Sequence, residues 1–226
     1  MKHLKKFAKE KEAHITLQPN VVLIEDTQKV MYNALYGVFI QHIDGTIHTM
    51  DEWTEKGFTN DMANGVAVGG GYVSFVIAKS DVSTSMAWSS DASTLVEGVV
   101  TTRDEEVMKE DYAGAANTQA IVAADADGSS AASACAGYVF PNGQHGYLPA
   151  AGEWRIATIF LDAIQSALAL IGGDAIYKMY MPSKITGYWT STQRSATGAW
   201  FLGMYPEKFY YFDKGVLDHV RPFTNL

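Results

Sequence analysis

Cysteine, basic charge and long apolar runs are what this chain has least of. Its 226 residues include one cysteine, Cys135. That excludes an intramolecular disulfide and any CxxC redox or zinc motif, and it suits folding in a reducing compartment. Lys plus Arg number 17 against 25 Asp plus Glu, a formal net charge of −8. A protein that grips a phosphate backbone needs a basic stripe, so no nucleic-acid partner is expected. No stretch approaches the ~20 apolar residues that span a bilayer, so no membrane insertion is expected. The run MKHLKKFAKEKEAHITLQPN starts positive but has no apolar segment of signal-peptide length. Read from Met1, the expectation is cytoplasmic synthesis without export.

Catalytic signatures are missing too. The sequence contains no GxSxG, GxxxxGK[ST], HExxH or GxGxxG. His42 and His48 flank an Asp-Gly turn, and exposed strand residues explain them better than a metal does. Cys135 reads as a small buried hydrophobe, and its nearness in sequence to His145 makes no thiol–imidazole pair. Glu153 and Asp162, nine residues apart, read as solvated helix positions rather than an acid/base pair. Asp125–Ser130 has the look of a calcium loop but lacks the later ligands and the closing Glu. No cofactor, metal or enzymatic activity is expected.

What is present is a packed α+β pattern. The composition is 47% hydrophobic and 19% charged, which favours a core over disorder. Residues 2–12, with Leu4, Phe7 and Ala8 at helical spacing, read as a solvated arm that Pro19 ends. Val21–Ile24 and Val30–Tyr32 read as a hairpin. Gly37 to Thr49 reads as a second hairpin around a two-residue type I′ turn at Asp44-Gly45. Asp51 is the expected N-cap of a short helix bearing Trp53. Residues 65–78 read as two strands about a turn at Gly69-Gly70-Gly71. Residues 104–113 and 115–124 read as helical. Residues 149–171 read as one long amphipathic helix stopped by Gly172-Gly173. Short strands follow, over 188–190, 199–204, 209–212 and 220–223. The order lacks regular βα alternation, hence α+β.

The C-terminal segment carries the functional signal. Positions 188–223 hold 10 of the chain's 27 aromatic residues, interleaved with Thr, Ser, Gln, Arg, Asp, Gly and His. Stiff aromatic rings among adaptable polar side chains are the composition of a paratope. Phe209-Tyr210-Tyr211-Phe212 does not alternate, so a strand with one buried face turns at least two of these rings outward. A strand buried on both faces is the competing explanation; a binding surface is favoured over it.

At these residues the chain resembles a known family. The strings Gly146-Tyr147-Leu148-Pro149-Ala150-Ala151-Gly152-Glu153-Trp154, Tyr188-Trp189-Thr190-Ser191-Thr192-Gln193, Ala199-Trp200, Lys214 and Val220-Arg221-Pro222-Phe223 are similar to the variable proteins of diversity-generating retroelements. The Asn64–Val68 stretch and the Asp44-Gly45 hairpin resemble the form found in phages and prophages of gut Bacteroidales. The resemblance covers roughly 33–226. It implies a C-type-lectin fold of the formylglycine-generating-enzyme type over those residues, with residues 1–32 as an attachment or oligomerisation arm. It also implies diversification over about 180–223, through adenine misincorporation at Asn codons. The matching framework is Trp189, Ser191, Thr192, Gln193, Ala199, Trp200, Lys214, Val220, Arg221 and Pro222.

The implied ligand-binding residues lie between them: Tyr188, Thr190, Arg194, Ser195, Thr197, Phe201, Gly203, Tyr205, Phe209, Tyr210, Tyr211, Phe212, Asp213, Val216, Leu217, Asp218 and His219. Tyr210 and Tyr211 are the expected affinity anchors. Thr190 and Pro206-Glu207-Lys208 depart from the family pattern, and the segment after Arg221-Pro222-Phe223 is short. The implied role is a receptor-binding component of a phage tail, in the virion, recognising a host cell-surface protein or glycan. Other virion proteins would meet the N-terminal arm, and a homo-oligomer, with a trimer as one form, would add avidity. A secreted or surface adhesin of the same fold is the alternative. A formylglycine-generating enzyme is a weaker one, since that chemistry uses two cysteines. The Glu-Pro-Asn and Trp-Asn-Asp motifs of calcium-dependent sugar lectins are absent.

Overall fold

The computed structural model describes residues 21–22, 25–26, 29–30, 34–176, 186–204 and 207–226. The expected arm helix over 2–12 and the candidate Tyr205 lie outside them. In chain order the strands are β1 (Val21–Val22), β2 (Glu25–Asp26), β3 (Lys29–Val30), β4 (Ala34–His42), β5 (Ile47–His48), β6 (Ala63–Gly71), β7 (Ser74–Ile77), β8 (Ser83–Met86), β9 (Gly187–Gln193), β10 (Gly198–Met204), β11 (Glu207–Asp213), β12 (Asp218–Val220) and β13 (Phe223–Asn225). The helices are α1 (Met50–Glu55), α2 (Glu105–Lys109), α3 (Gly114–Ala124), α4 (Ala131–Gly137), α5 (Ala151–Ile159) and α6 (Leu161–Leu170). The fold is α+β.

Two sheets organise it. The first runs β1-β4-β6-β7-β13, with β5 also on β4, and the second runs β11-β10-β9-β12-β8. The last residues of the chain join both: β12 lies in the second sheet and β13 pairs antiparallel with β7 in the first. One core cluster fills the space between the first sheet, α5, α6 and one face of the second sheet, with Trp53, Phe75, Trp154, Tyr188 and Phe223 among its members. A second cluster covers the other face, joining Trp88, Trp189, Phe201 and Cys135 with α3 and α4 residues. Strands β9 and β10 are therefore buried on both faces, and all fourteen of their residues are buried.

Several local expectations shift. The N-terminal pairing moves: Val21–Val22 pairs with β4, and the hairpin is Glu25–Asp26 with Lys29–Val30. The Asp44-Gly45 loop has three residues, not two. The His42 carbonyl accepts from Gly45 N–H at 2.9 Å, and His42 N–H donates to Thr46 O at 2.8 Å. Gly45, at φ +90°, supplies the bulge such a loop needs. The register is consequently Gln41 opposite Ile47 and Ile40 opposite His48.

Thr49, not Asp51, caps α1: its hydroxyl accepts from Glu52 N–H while the Glu52 carboxylate accepts from Thr49 N–H. Gly69 and Gly70 belong to β6, and the turn begins at Gly71. Strand β8 and helix α4 had no local signal in the composition.

The expected helix over 149–171 is two helices broken at Phe160. That residue (φ −110°, ψ 16°) ends α5 with its N–H on Ala157 O, and its ring meets Tyr36 edge-on at 5.2 Å. The break re-aims the apolar stripe. Trp154 and Ile156 on α5, then Ile164 and Leu168 on α6, all reach the same core.

Gly187 faces Gly203 across the β9–β10 ladder, and a Cβ there would land on the Leu202 carbonyl oxygen. Gly137, at the end of α4, has open space where its Cβ would be. Gly187→Ala should therefore cost about 1–3 kcal/mol, while Gly137→Ala should be neutral or stabilise by up to about 1 kcal/mol. Urea unfolding of the two variants measures the contrast.

Candidate functional site

The site is built on a knot of buried polar groups. Helix α5 begins at Ala150-Ala151-Gly152, which offers no capping side chain of its own. One N–H there is taken by the helix's own Glu153 and two find tertiary acceptors. Ala150 donates to Glu153 Oε2 at 2.7 Å, Ala151 to Thr192 Oγ1 at 2.9 Å, and Gly152 to Asp111 O at 2.8 Å. The Thr192 hydroxyl donates in turn to Asp111 Oδ2 at 2.6 Å. Asn117 bridges the same Asp111 oxygen, at 3.0 Å, to Ser191 Oγ, at 3.2 Å. Tyr147 donates to Glu153 Oε1 at 2.8 Å. Glu153 is thus buried and not a solvated helix position. Burial pushes its carboxyl up to about 8, with its hydrogen bonds from Ala150 and Tyr147 acting the other way.

Above this knot, three indoles pin a long loop onto the second sheet. Trp189 Nε1 donates to Met86 O at 3.0 Å, Trp88 Nε1 to Thr190 O at 2.8 Å, and Trp200 Nε1 to Thr102 O at 2.8 Å. Gln193 adds a side-chain clamp: its amide bonds both the N–H and the carbonyl of Val96 and donates to Thr101 Oγ1. Lys214 is buried over the Trp88 ring at 4.6 Å and donates to Thr94 O at 2.7 Å and to Gln193 Oε1. Burial pulls its ammonium down to about 8. Arg221, also buried, donates from Nε to Asp81 Oδ1 and from Nη1 to Asp174 O at 2.9 Å. Every framework residue, from Trp189 to Pro222, is buried.

The seventeen ligand-binding candidates divide. Tyr188, Thr190, Phe201, Gly203, Phe209 and Asp218 are buried. They are withdrawn from an outward face, because β9 and β10 are packed on both sides and Phe209 faces the main core. The Thr190 hydroxyl is spent on Trp200 O at 2.9 Å, and the Tyr188 hydroxyl donates to Asp81 at 3.1 Å. The doubly buried explanation does not fit the aromatic run itself, Phe209 to Phe212 on β11, of which Phe209 alone is buried.

Ten candidates remain: Arg194, Ser195 and Thr197 in the β9–β10 turn, Tyr210 to Asp213 on the end strand β11, Val216 and Leu217 in the connection to β12, and His219 on β12, which lies inside the second sheet between β9 and β8. Thr197, Tyr211, Asp213 and Leu217 are exposed and the rest half-buried. Strand β11 is the end strand of its sheet. Its sides alternate. Tyr210 and Phe212 pack toward Phe201, whereas Tyr211 points the other way, edge-on to Trp200 at 6.1 Å. The Arg194 guanidinium lies over the Tyr211 ring at 3.5 Å. His219 is drawn inward by Asp81, 3.0 Å from its Nδ1.

Other expectations resolve as follows. His42 and His48 stand 6.4 Å apart in an aromatic cluster with Trp53 and Phe58. Among the described residues no group of three or more His, Cys, Asp or Glu is placed to hold a metal. Asp125 is occupied by Ser130 N–H and the Ser133 hydroxyl. Cys135 is buried, and burial raises its thiol well above the ordinary range, so the reactive thiolate is disfavoured. No helix among the described residues is long and apolar enough to cross a membrane. Asp81, Trp88, Asp111 and Asn117 were not singled out in the sequence. Their partners lie 74 to 140 residues away for the bonds to β9 and Arg221, and no local pattern marks such contacts.

Comparison with protein-family models, curated proteins and solved structures gives no match to this chain.

Glu153 generates a pH prediction. Its native pKa, about 8, exceeds the ordinary value of 4.5. Between those values the native state holds a proton that the unfolded chain has released. Stability is full below the lower value and falls as pH rises to the upper one, by on the order of a few kcal/mol. Glu153→Gln should flatten that decline and match or exceed the parent in stability at pH 9. Urea titrations across pH 5–9 would read this out; an unchanged slope in the variant would rule it out.

Proposed function

We propose that this chain is a ligand-binding protein of the diversity-generating-retroelement type, with a C-type-lectin-like domain whose C-terminal sheet edge is its variable face. One observation supports it most. The residues that the resemblance assigns to the framework are all buried and several are cross-bonded, while seven of the assigned variable positions, Arg194, Ser195, Thr197 and Tyr210 to Asp213, gather at the β9–β10 turn and the end strand β11. A rigid base lets side chains change there without reordering the backbone, which limits the entropy cost of each new specificity. The withdrawn set leaves Arg194, Ser195, Thr197, Tyr210, Tyr211, Phe212, Asp213, Val216, Leu217 and His219 as the face. Its role is recognition of a host cell-surface protein or glycan, as part of a phage tail carried in the virion. Residues 1–32 attach it to other virion proteins, and a homo-oligomer multiplies weak contacts.

Two experiments test this. Deep sequencing of the gene's 3′ end across a population should find substitutions concentrated at these ten codons and absent at Trp189, Gln193, Trp200 and Arg221. Uniform low variation would remove diversification from the account. Independently, replacing Thr197, Tyr211, Asp213 and Leu217 together with Ser should change stability by no more than about 1–2 kcal/mol. Trp189→Ala or Arg221→Met alone should cost about 3–5 kcal/mol. Thermal unfolding measures both.

A further inference from the structure

We infer that the Arg194–Tyr211 corner of this edge is a carboxylate-binding subsite whose occupant is an acidic sugar, a uronic-acid type of ring. This rests on the reading of the edge as a ligand face and names the chemistry it takes. The guanidinium carbon of Arg194 is 3.5 Å from the Tyr211 ring centre and 5.9 Å from that of Trp200. Stacking fixes the plane of the guanidinium and leaves its donors pointing along that plane. No carboxylate pairs with it among the described residues, and with its Nε buried from solvent its Nη groups are the donors left for an outside ligand. In a chain of net charge −8, a half-buried arginine held flat and left unpaired is set to receive an anion from outside.

The surroundings narrow the class. Lys214 is buried beneath the framework, and Lys208 lies over Tyr210 on the opposite side of β11. Among the described residues Arg194 is therefore the one cation of the β9–β10 turn and of this side of β11, and Asp213 follows Tyr211 on the same side of the strand by the two-residue period. One cation beside one carboxylate suits a monoanion better than a phosphate dianion. It also repels an acidic peptide with several carboxylates. Asp213 can instead accept hydroxyl protons. The Ser195 and Thr197 hydroxyls lie in the adjoining turn, and the Tyr211 ring, 53% exposed, offers an apolar plate. A carboxylate on a polyhydroxylated ring satisfies all of these together.

The test follows the Arg194 Nε–Hε resonance of the 15N-labelled full chain during titration with glucuronate, glucose and acetate. The expected result is a saturable shift with glucuronate at millimolar concentration, at least about tenfold stronger than with either control. Arg194→Gln and Tyr211→Ala should each weaken glucuronate binding about tenfold, read from neighbouring backbone amides, with the remaining spectrum unchanged. Acetate binding as well as glucuronate would overturn the sugar, leaving a bare anion contact. Glucose matching glucuronate, or no saturable shift, would overturn the carboxylate subsite. A hexaglutamate peptide binding more tightly than glucuronate would overturn the sugar in favour of a peptide. Each failure is separable from failure of the variable-face reading, because the codon-variation pattern does not depend on which ligand this variant binds.

Discussion

The N-terminus of helix α5 is the constraint on which the rest of the molecule depends. Its free N–H groups are satisfied by Glu153, by Thr192 of β9 and by the Asp111 carbonyl. Buried donors cost on the order of 1–3 kcal/mol each when left unmade. The helix can therefore dock only where β9 and the 111–117 segment are both in place. That single requirement sets the second sheet against the first, because α5 carries Trp154 into the shared core. It also fixes small residues nearby. A Cβ at Gly114 would strike the Glu153 carboxylate, and one at Gly152 the backbone of Lys109 and Asp111.

The same economy governs the loop over 86–102. It has little regular structure, yet the Trp189 and Trp200 indoles and the Gln193 amide hold its carbonyls, and its own Trp88 indole donates to the Thr190 carbonyl of β9. Large rings anchor it by area while their single polar atoms fix its register. Lys214 completes the arrangement from the far side of β11. A buried ammonium is an expensive group even with the Asp91 carboxylate acting on it. Its hydrogen bonds to Thr94 and Gln193 and its position over Trp88 offset part of that cost. The ordering of the loop and the course of the chain after β11 are therefore coupled.

The α+β class, the C-terminal strands and the burial of Cys135 were legible in the sequence because each rests on local composition or periodicity. The helix over 149–171 was legible as helix but not as two, since the apolar period runs unbroken through Phe160 and only packing against Tyr36 marks the break. Asp51 was the expected cap, but the reciprocal Thr49–Glu52 pair forms because it satisfies two donors at once. Glu153 looked like a solvated position for want of any local sign that Tyr147 and the α5 N-terminus would enclose it. The candidate site was legible as a region but not residue by residue. Aromatic density pointed to β9–β11, yet alternation cannot sort a sheet covered on both faces, and Tyr188 and Phe201 are core residues as a result.

The position of the edge within the chain adds a topological reason for its tolerance. The segment from Glu207 to Leu217 leaves the centre of the sheet after β10 and returns to it at β12. Both ends are fixed: β10 is buried throughout, and the chain from Val220 onward bonds Val82 and Ala78 and then pairs Phe223 with Ile77. A loop whose ends are held by separate, well-packed anchors pays its closure entropy once, whatever side chains it carries. Within it, β11 is an end strand, the place where a sheet is most exposed to unwanted pairing. Glu207, Lys208 and Asp213 put charges at both ends of its aromatic centre. Aromatic rings can therefore be concentrated on this edge, where a partner reaches them, while the buried lattice beneath stays constant.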